Sequence, residues 1–374
     1  MKGGISIPQT DPGAGYRECR GGIDVAIQQV LEAGHYVLGR EVAAFEREFA
    51  EYLGVASAIG VASGTDALTI ALRACGVGAG DEVLTVSHTA VATIVAIENC
   101  GATPVLIDVE PETFTISAAR LAEAVTTKTR AIVPVHLYGQ PADLAEILSV
   151  AAEYNLSVVE DCAQAHGARY RGRCVGTFGR AAAFSFYPTK NLGAVGDGGC
   201  VVTNDAAVAG RARRLREYGW SDRYVSAERG WNSRLDEIQA AILRVKLRDL
   251  DAWNEARQTI AAIYDARLAA SPVRLPVRAP ERTHVFHQYV VRVPERDRVR
   301  AELAAAGIGT GIHYPRPVHG QPAYESLATG AGLRQTERLS PEILSLPMYP
   351  QLSAGDAERV AAALLRVVGG AAFR

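Results

Sequence analysis

Residues 185–199, SFYPTKNLGAVGDGG, carry a lysine between a run of small and apolar residues (AAAF, 181–184) and a glycine-rich turn. Of the 39 Lys and Arg residues in this 374-residue chain, only four are lysine: Lys2, Lys128, Lys190 and Lys246. A lysine at the end of an apolar strand has a plain role, with its stem packed and its ammonium in solvent. It also has a chemical one. Desolvation lowers a lysine's pKa and gives a neutral amine able to form a Schiff base, which arginine cannot do. The chemical reading requires companion groups at neighbouring strand ends.

Two such groups are present. In VVEDCAQAHGA (158–168) an apolar strand closes on Asp161, with Gln164 three residues on. A strand-end aspartate can simply cap the next helix. Paired with Lys190, it matches the needs of pyridoxal phosphate: an amine for the aldehyde, and an acid that keeps the ring nitrogen protonated. In ASGTDAL (62–68) a strand runs through Ser63-Gly64-Thr65 into an apolar helix. Free N–H groups at a helix start suit a phosphate, and an N-cap by Ser63 or Thr65 is the plain alternative. The stretch is not a Walker A loop, and no G-x-G-x-x-G turn marks a dinucleotide site, which removes a nicotinamide oxidoreductase from consideration.

These groups need a scaffold that brings strand ends together. Candidate strands are 56–61, 82–86, 103–108, 131–136, 156–161, 181–186 and 199–203, with helical periodicity between them. Alternation of apolar strands and helices predicts a mostly parallel sheet covered on both faces, with ligands beyond its carboxyl edge. Residues 234–269 predict a long helix, bent near Asp251–Trp253, and its LRVKLRD run (243–249) reads as an exposed face. Beyond it lie an alternating strand (286–293), a helix over 296–306, extended GIHYP (311–315) and a closing helix near 356–368. The division falls between a large unit, 1–251, and a smaller α+β unit, 252–374.

Composition narrows the function classes. Hydrophobic residues at 48 %, charged residues at 21 % and a net charge of −2 are ordinary globular values. They give no electrostatic reason to expect nucleic acid or an anionic membrane as partner. No long uncharged apolar run predicts a membrane span. The start lacks a signal peptide's apolar core, and six cysteines lie far apart without Cys-x-x-Cys spacing. A cytoplasmic protein with reduced cysteines and no metal site is expected.

SGTDAL, EDCAQAHGA, SFYPTKNLGAVGDGG, NSRLDEIQAAIL and HYPRPVH, in this order, resemble the DegT/DnrJ/EryC1/StrS family of pyridoxal-phosphate-dependent sugar aminotransferases. The likeness runs from about residue 25 to the C-terminus and is looser over 270–310 and 325–345. It implies the type I (aspartate aminotransferase-like) α/β fold, with a mostly parallel seven-stranded sheet in a three-layer large domain. It also implies a homodimer with active sites at the subunit interface. By the same resemblance, Lys190 forms the Schiff base and moves the proton, Asp161 faces the pyridine nitrogen, and Gln164 lies near the ring hydroxyl. Gly64, Thr65 and Ser185 resemble the phosphate cradle, and Asn232 a phosphate contact donated by the second subunit. His313 and Tyr314 match a segment that faces the substrate. Arg223 and Tyr224 are placed to reach a nucleotide diphosphate from the partner, with a solvated loop as the alternative.

One position departs from the family. Where many relatives stack an aromatic ring on the cofactor, TVSHTAVAT (85–93) has Ala90, and His88 is the segment's single ring. His88 either takes over that contact, touches the substrate or has no role. The resemblance implies transamination of a nucleotide-linked keto-sugar, a dTDP-3-keto-6-deoxyhexose foremost, with an amino acid donor such as glutamate. A 4-keto-sugar or inosose aminotransferase and a non-catalytic cofactor-binding regulator are the alternatives.

Overall fold

The computed structural model describes residues 5–327 and 332–369; Lys2 lies outside them. Helices α1 (Pro12–Ala33) and α2 (Arg40–Leu53) lead into the main sheet. Its strands are β1 (Ser57–Val61), β2 (Glu82–Val86), β3 (Thr103–Ile107), β4 (Thr129–Ile132), β5 (Ser157–Asp161), β6 (Ala181–Ser185) and β7 (Gly199–Thr203). They lie in the order β1-β7-β6-β5-β4-β2-β3. β7 runs antiparallel to both neighbours, and the other pairings are parallel.

Side chains that alternate along a strand face opposite sides of a sheet. On β6, Ala182 and Phe184 join one core with Phe45, Phe49 and Phe186, while Ala181 and Ala183 join another with Leu68, Leu72 and Val201. Both faces are therefore dry, which explains the unbroken apolar run and gives the three layers. Helices α3 (Gly64–Ala74), α4 (Val91–Asn99) and α5 (Leu144–Glu153) lie between these strands in the chain, and α6 (Ala206–Leu215) follows the last of them.

The fourth strand starts and ends earlier than the predicted 131–136. Pro134 has no N–H for the ladder, and beyond it only the Val135–Asp161 bridge continues the pairing. The long helix is two: α7 (Glu237–Leu247) and α8 (Leu250–Leu268), broken at Arg248–Asp249 rather than near Asp251–Trp253. That break lets Leu247 and Leu250 face the same core.

Within 243–249 only Arg248 and Asp249 are exposed, which corrects the expected exposed face. α7 packs on α1 and α2, Lys246 is buried, and its Nζ donates to the Gly193 carbonyl at 2.7 Å. Arg244 donates to Glu48 at 2.7 Å and also binds Glu41.

The C-terminal part builds its own core, in which Tyr264 of α8 meets Tyr289, Leu303 and Leu364. Here β8 (Tyr289–Arg292) pairs antiparallel with β9 (Ile343–Leu346), flanked by α9 (Arg296–Ala305) and α10 (Ala354–Gly369). Ile7 packs in this core and bridges to Ile308. The predicted strand 286–293 is shorter at its start because Phe286 adopts φ 43° and turns the chain. No described helix is long and apolar enough to cross a membrane.

Candidate active site

Register decides which residues meet at the sheet's carboxyl edge. Val61 pairs with Gly199, and Gly199 with Ser185, so the residues that follow β1 lie beside the end of β6. Asp161 pairs with Ala183, two residues short of Ser185. Beyond this edge is a cavity of about 340 Å³ lined by Ser63, Gly64, Thr65, Asp161, Gln164, Ser185, Lys190, His313 and Tyr314. Lys190 and Asp161 thus open into one space.

Their environments shift both groups toward neutrality. Burial pushes the Lys190 amine down to about 8, against the opposing pull of the Asp161 charge. Burial likewise raises the Asp161 carboxyl, opposed by the Ala163 N–H, the Thr93 hydroxyl and the Lys190 charge. The carboxylate is oriented at both oxygens: Ala163 N donates to Oδ1 at 3.1 Å, and Thr93 Oγ1 to Oδ2 at 3.0 Å. Thr93 is in turn 3.0 Å from Thr89 Oγ1, so the loop after β2 fixes the acid. Asn191 holds the segment that bears the lysine, donating to Asn254 at 2.8 Å and to the Val285 carbonyl at 3.1 Å.

The α3 N-terminus is both a cap and a cradle. Ser63 Oγ accepts from Asp66 N at 3.1 Å, as an N-cap does. Gly64 and Thr65, at the start of the helix, line the cavity. Two glycines allow the close approach that this requires. A Cβ on Gly64 would lie 2.5 Å from Ser185 Cβ, and one on Gly199 would lie 2.2 Å from the Ser63 carbonyl oxygen.

Opposite the sheet edge, Gln164 accepts from Tyr138 N at 2.7 Å and donates to Tyr314 Oη at 3.1 Å. His313 Nδ1 is 2.8 Å from Ser345 Oγ. Burial pushes His313 down to about 4, with the Lys190 charge adding to the effect, and raises Tyr314 to about 12. An amine whose pKa burial has lowered, a buried acid, a turn closed to any Cβ and a helix N-terminus in one cavity fit pyridoxal phosphate.

Residues 20–365 match the model of the DegT/DnrJ/EryC1/StrS aminotransferase family. The chain belongs to this family. It is 48 % identical over 356 residues (95 % of this chain, 94 % of the other) to a dTDP-3-amino-3,4,6-trideoxy-α-D-glucose transaminase of Streptomyces venezuelae. It is 49 % identical over 362 residues (96 % and 99 %) to the erythromycin biosynthesis sensory transduction protein EryC1 of Saccharopolyspora erythraea. Among solved structures, S. venezuelae DesV in complex with a ketimine intermediate superposes with a TM-score of 0.94 at 48 % identity, covering 96 % of this chain and 98 % of that one. The chain is thus an aminotransferase with the expected type I fold, in a family that depends on pyridoxal phosphate.

Within this aminotransferase the structure does not bring every expected residue to the cavity. His88 is 1 % exposed and turned inward, its ring 5.7 Å from Phe114 and its Nε2 2.8 Å from Tyr138 Oη. In the loop that follows β2, the cavity receives Thr89 and Ala90 instead. Asn232 is exposed and does not line its own chain's cavity. Arg223 and Tyr224 form the tip of a hairpin (Trp220–Asp222, Val225–Ser226), with the guanidinium 5.0 Å over the ring and Tyr224 73 % exposed. They too lie away from that cavity.

Among the lining residues that the sequence did not single out are Thr93, His287 and Gln288. Thr93 sits inside an apolar helical run, and the other two inside an alternating strand pattern, so neither context signals a site. A buried trio of His136, Glu160 and Cys162 brings ligand-type atoms within 4.8 Å. Glu160 there is already held by the Gly176, Phe178 and Gly179 N–H groups and by His136.

Proposed function

We propose that this aminotransferase moves an amino group from an amino acid, glutamate first among the donors, to the keto carbon of a dTDP-linked 3-keto-6-deoxyhexose. The observation that carries the reading is the shared cavity of Lys190 and Asp161. When bound, pyridoxal phosphate supplies an aldehyde that exchanges with amines and a ring that takes up the electrons left when a neighbouring C–H bond breaks.

The chain's own residues do the rest. Asp161 keeps a carboxylate against the ring nitrogen, where a positive charge offsets the burial that otherwise raises it. The α3 N–H groups, the Thr65 and Ser185 hydroxyls and the space left by Gly64 hold the phosphate. Gln164 lies toward the ring hydroxyl. Lys190 Nζ, brought down to about 8 by burial, would accept a proton from the donor's carbon and return it on the sugar side, the behaviour expected of a group poised close to the ambient pH. His313 and Tyr314 face the sugar.

Asn232, Arg223 and Tyr224 serve the cavity of a second copy of the chain, so the active form is a homodimer. Support comes from their exposure and their distance from their own cavity; arginine suits the oxygens of a diphosphate. A cytoplasmic setting agrees with six free cysteines. The large unit ends near residue 251: Leu250 packs in the sheet's core, whereas Ile260 packs with the C-terminal cluster.

Amination at C3 rests on the names of relatives, one of which is a 3-amino-sugar transaminase. Another is named as a sensory transduction protein, which keeps a regulator in view, although the intact amine–acid pair favours turnover. The holoenzyme is mixed with L-glutamate and 2-oxoglutarate is measured; dTDP-3-keto and dTDP-4-keto sugars are then supplied separately and the amino sugar is detected by mass. Absence of 2-oxoglutarate refutes glutamate as the donor, and amination of the 4-keto sugar alone refutes the position.

A further inference from the structure

His88 and Tyr138 form a buried relay whose far end is the substrate segment. His88 Nε2 lies 2.8 Å from Tyr138 Oη, and Tyr138 Oη binds the His313 carbonyl oxygen. A carbonyl only accepts, so the Tyr138 hydroxyl donates to it. The tyrosine oxygen is then left as acceptor, and His88 must donate from Nε2. The histidine tautomer follows from the geometry: Nε2 carries the proton and Nδ1 is bare. Burial pushes His88 down to about 4, opposed by the Asp108 charge, so the ring is neutral at pH 7.

Tyr138 grips the same segment a second way. Its backbone N–H donates to Gln164 Oε1, and Gln164 Nε2 donates to Tyr314 Oη. His313 is thereby held through its carbonyl and Tyr314 through its hydroxyl, both from one residue at φ 60°. The Tyr138 ring is itself wedged by Phe114 at 5.4 Å and is 3 % exposed. Neither His88 nor Tyr138 lines the cavity, yet His313 and Tyr314, the residues that they hold, both do.

We propose that Tyr138, oriented by the His88 N–H, is a positioning residue that fixes the His313–Tyr314 wall of the cavity and thereby sets the affinity for the keto-sugar. The inference rests on the proposed assignment of His313 and Tyr314 to the sugar side. It gives His88 a role different from the cofactor contact expected of it.

Three variants test it: Tyr138→Phe keeps the ring and deletes the hydroxyl, His88→Leu deletes the donor, and His88→Asn keeps an N–H. The two half-reactions of the holoenzyme are followed separately, and amide exchange of residues 311–316 is measured on the cofactor-free protein. Loss of one buried hydrogen bond is worth up to about tenfold in an equilibrium. Tyr138→Phe and His88→Leu are therefore expected to raise KM for the dTDP-3-keto sugar several-fold and to speed exchange at 311–316. The glutamate half-reaction stays close to wild type, and His88→Asn recovers part of the KM. Equal loss in both half-reactions, or unchanged KM with unchanged exchange, overturns the proposal. If wild type itself ignores the keto-sugar, the functional reading fails, whereas exchange at 311–316 reports on the clamp without any substrate.

Discussion

Gly64→Ala is a direct test of the cradle. The added Cβ would stand 2.5 Å from Ser185 Cβ, 2.9 Å from its Oγ and 3.1 Å from its Cα, where ordinary contact begins at 3.4 Å. The shortfall from Ser185 Cβ is close to 1 Å, from 3.4 Å minus 2.5 Å. Ser185 cannot rotate out of the way, because Cβ and Cα do not move with χ1. The start of α3 and the end of β6 must separate instead, and those two points form the proposed phosphate cradle. Overpacking of this kind costs about 1–3 kcal/mol, roughly a 5- to 150-fold change in an equilibrium constant. Titration of the apoenzyme with pyridoxal phosphate, read by absorbance, should show a dissociation constant raised within that range. Adding Ser185→Gly to Gly64→Ala removes the clashing Cβ and should restore part of the affinity, a coupling expected of residues in contact. Wild-type affinity in Gly64→Ala would refute the cradle; so would a melting temperature that falls while affinity does not.

In the apoenzyme, the rate at which Lys190 reacts with an amine reagent should rise through a midpoint near pH 8, because only the neutral amine reacts. Asp161→Asn removes the charge that favours the ammonium, so this midpoint should move lower; a rise would contradict the shared cavity. Lys246→Met leaves the buried Gly193 carbonyl without its donor, costing about 1–3 kcal/mol of stability. It should also lower turnover, which Lys246→Arg should not fully recover, and unchanged melting and turnover would refute the tether. Mixing Lys190→Ala with Asn232→Ala should regenerate activity through hybrid dimers with one intact site, and failure to complement while dimers exchange would argue against sites shared between subunits.

What could be read from the sequence were groups whose position follows from strand direction. Lys190, Asp161 and the Ser63–Thr65 turn each follow an apolar run that ends at one edge of a parallel sheet, so topology alone brings them together. The strand register then adds Ser185. Three kinds of information were hidden. Side-chain direction misplaced His88, since one step along an irregular loop decides between cavity and core. Tertiary packing misplaced Lys246, whose helical run looks amphipathic until α1 and α2 cover it. Tyr138 gave no local signal, because both of its partners lie far along the chain. The roles proposed for Arg223, Tyr224 and Asn232 call for a second copy, which one chain does not contain.

The scarcity of lysine acquires a physical reason from the buried cations. Arg257 is buried with Nη1 donating to the Phe286 carbonyl at 3.2 Å and the Met348 carbonyl at 3.0 Å. Burial pushes it down to about 9, which still leaves it charged at neutral pH. Such a group can hold a structure together but cannot act as a base. Lys246 spends its ammonium on the Gly193 carbonyl, three residues past Lys190. Lys190 Nζ, by contrast, finds no hydrogen-bond acceptor among the described residues, and Asp161 is the charge that opposes its desolvation. One lysine is tied so that the loop stays put, and the other is left untied so that its proton can leave. Arginine can replace the first function in part and the second not at all, because a guanidinium forms no Schiff base and stays charged at neutral pH even when it is buried.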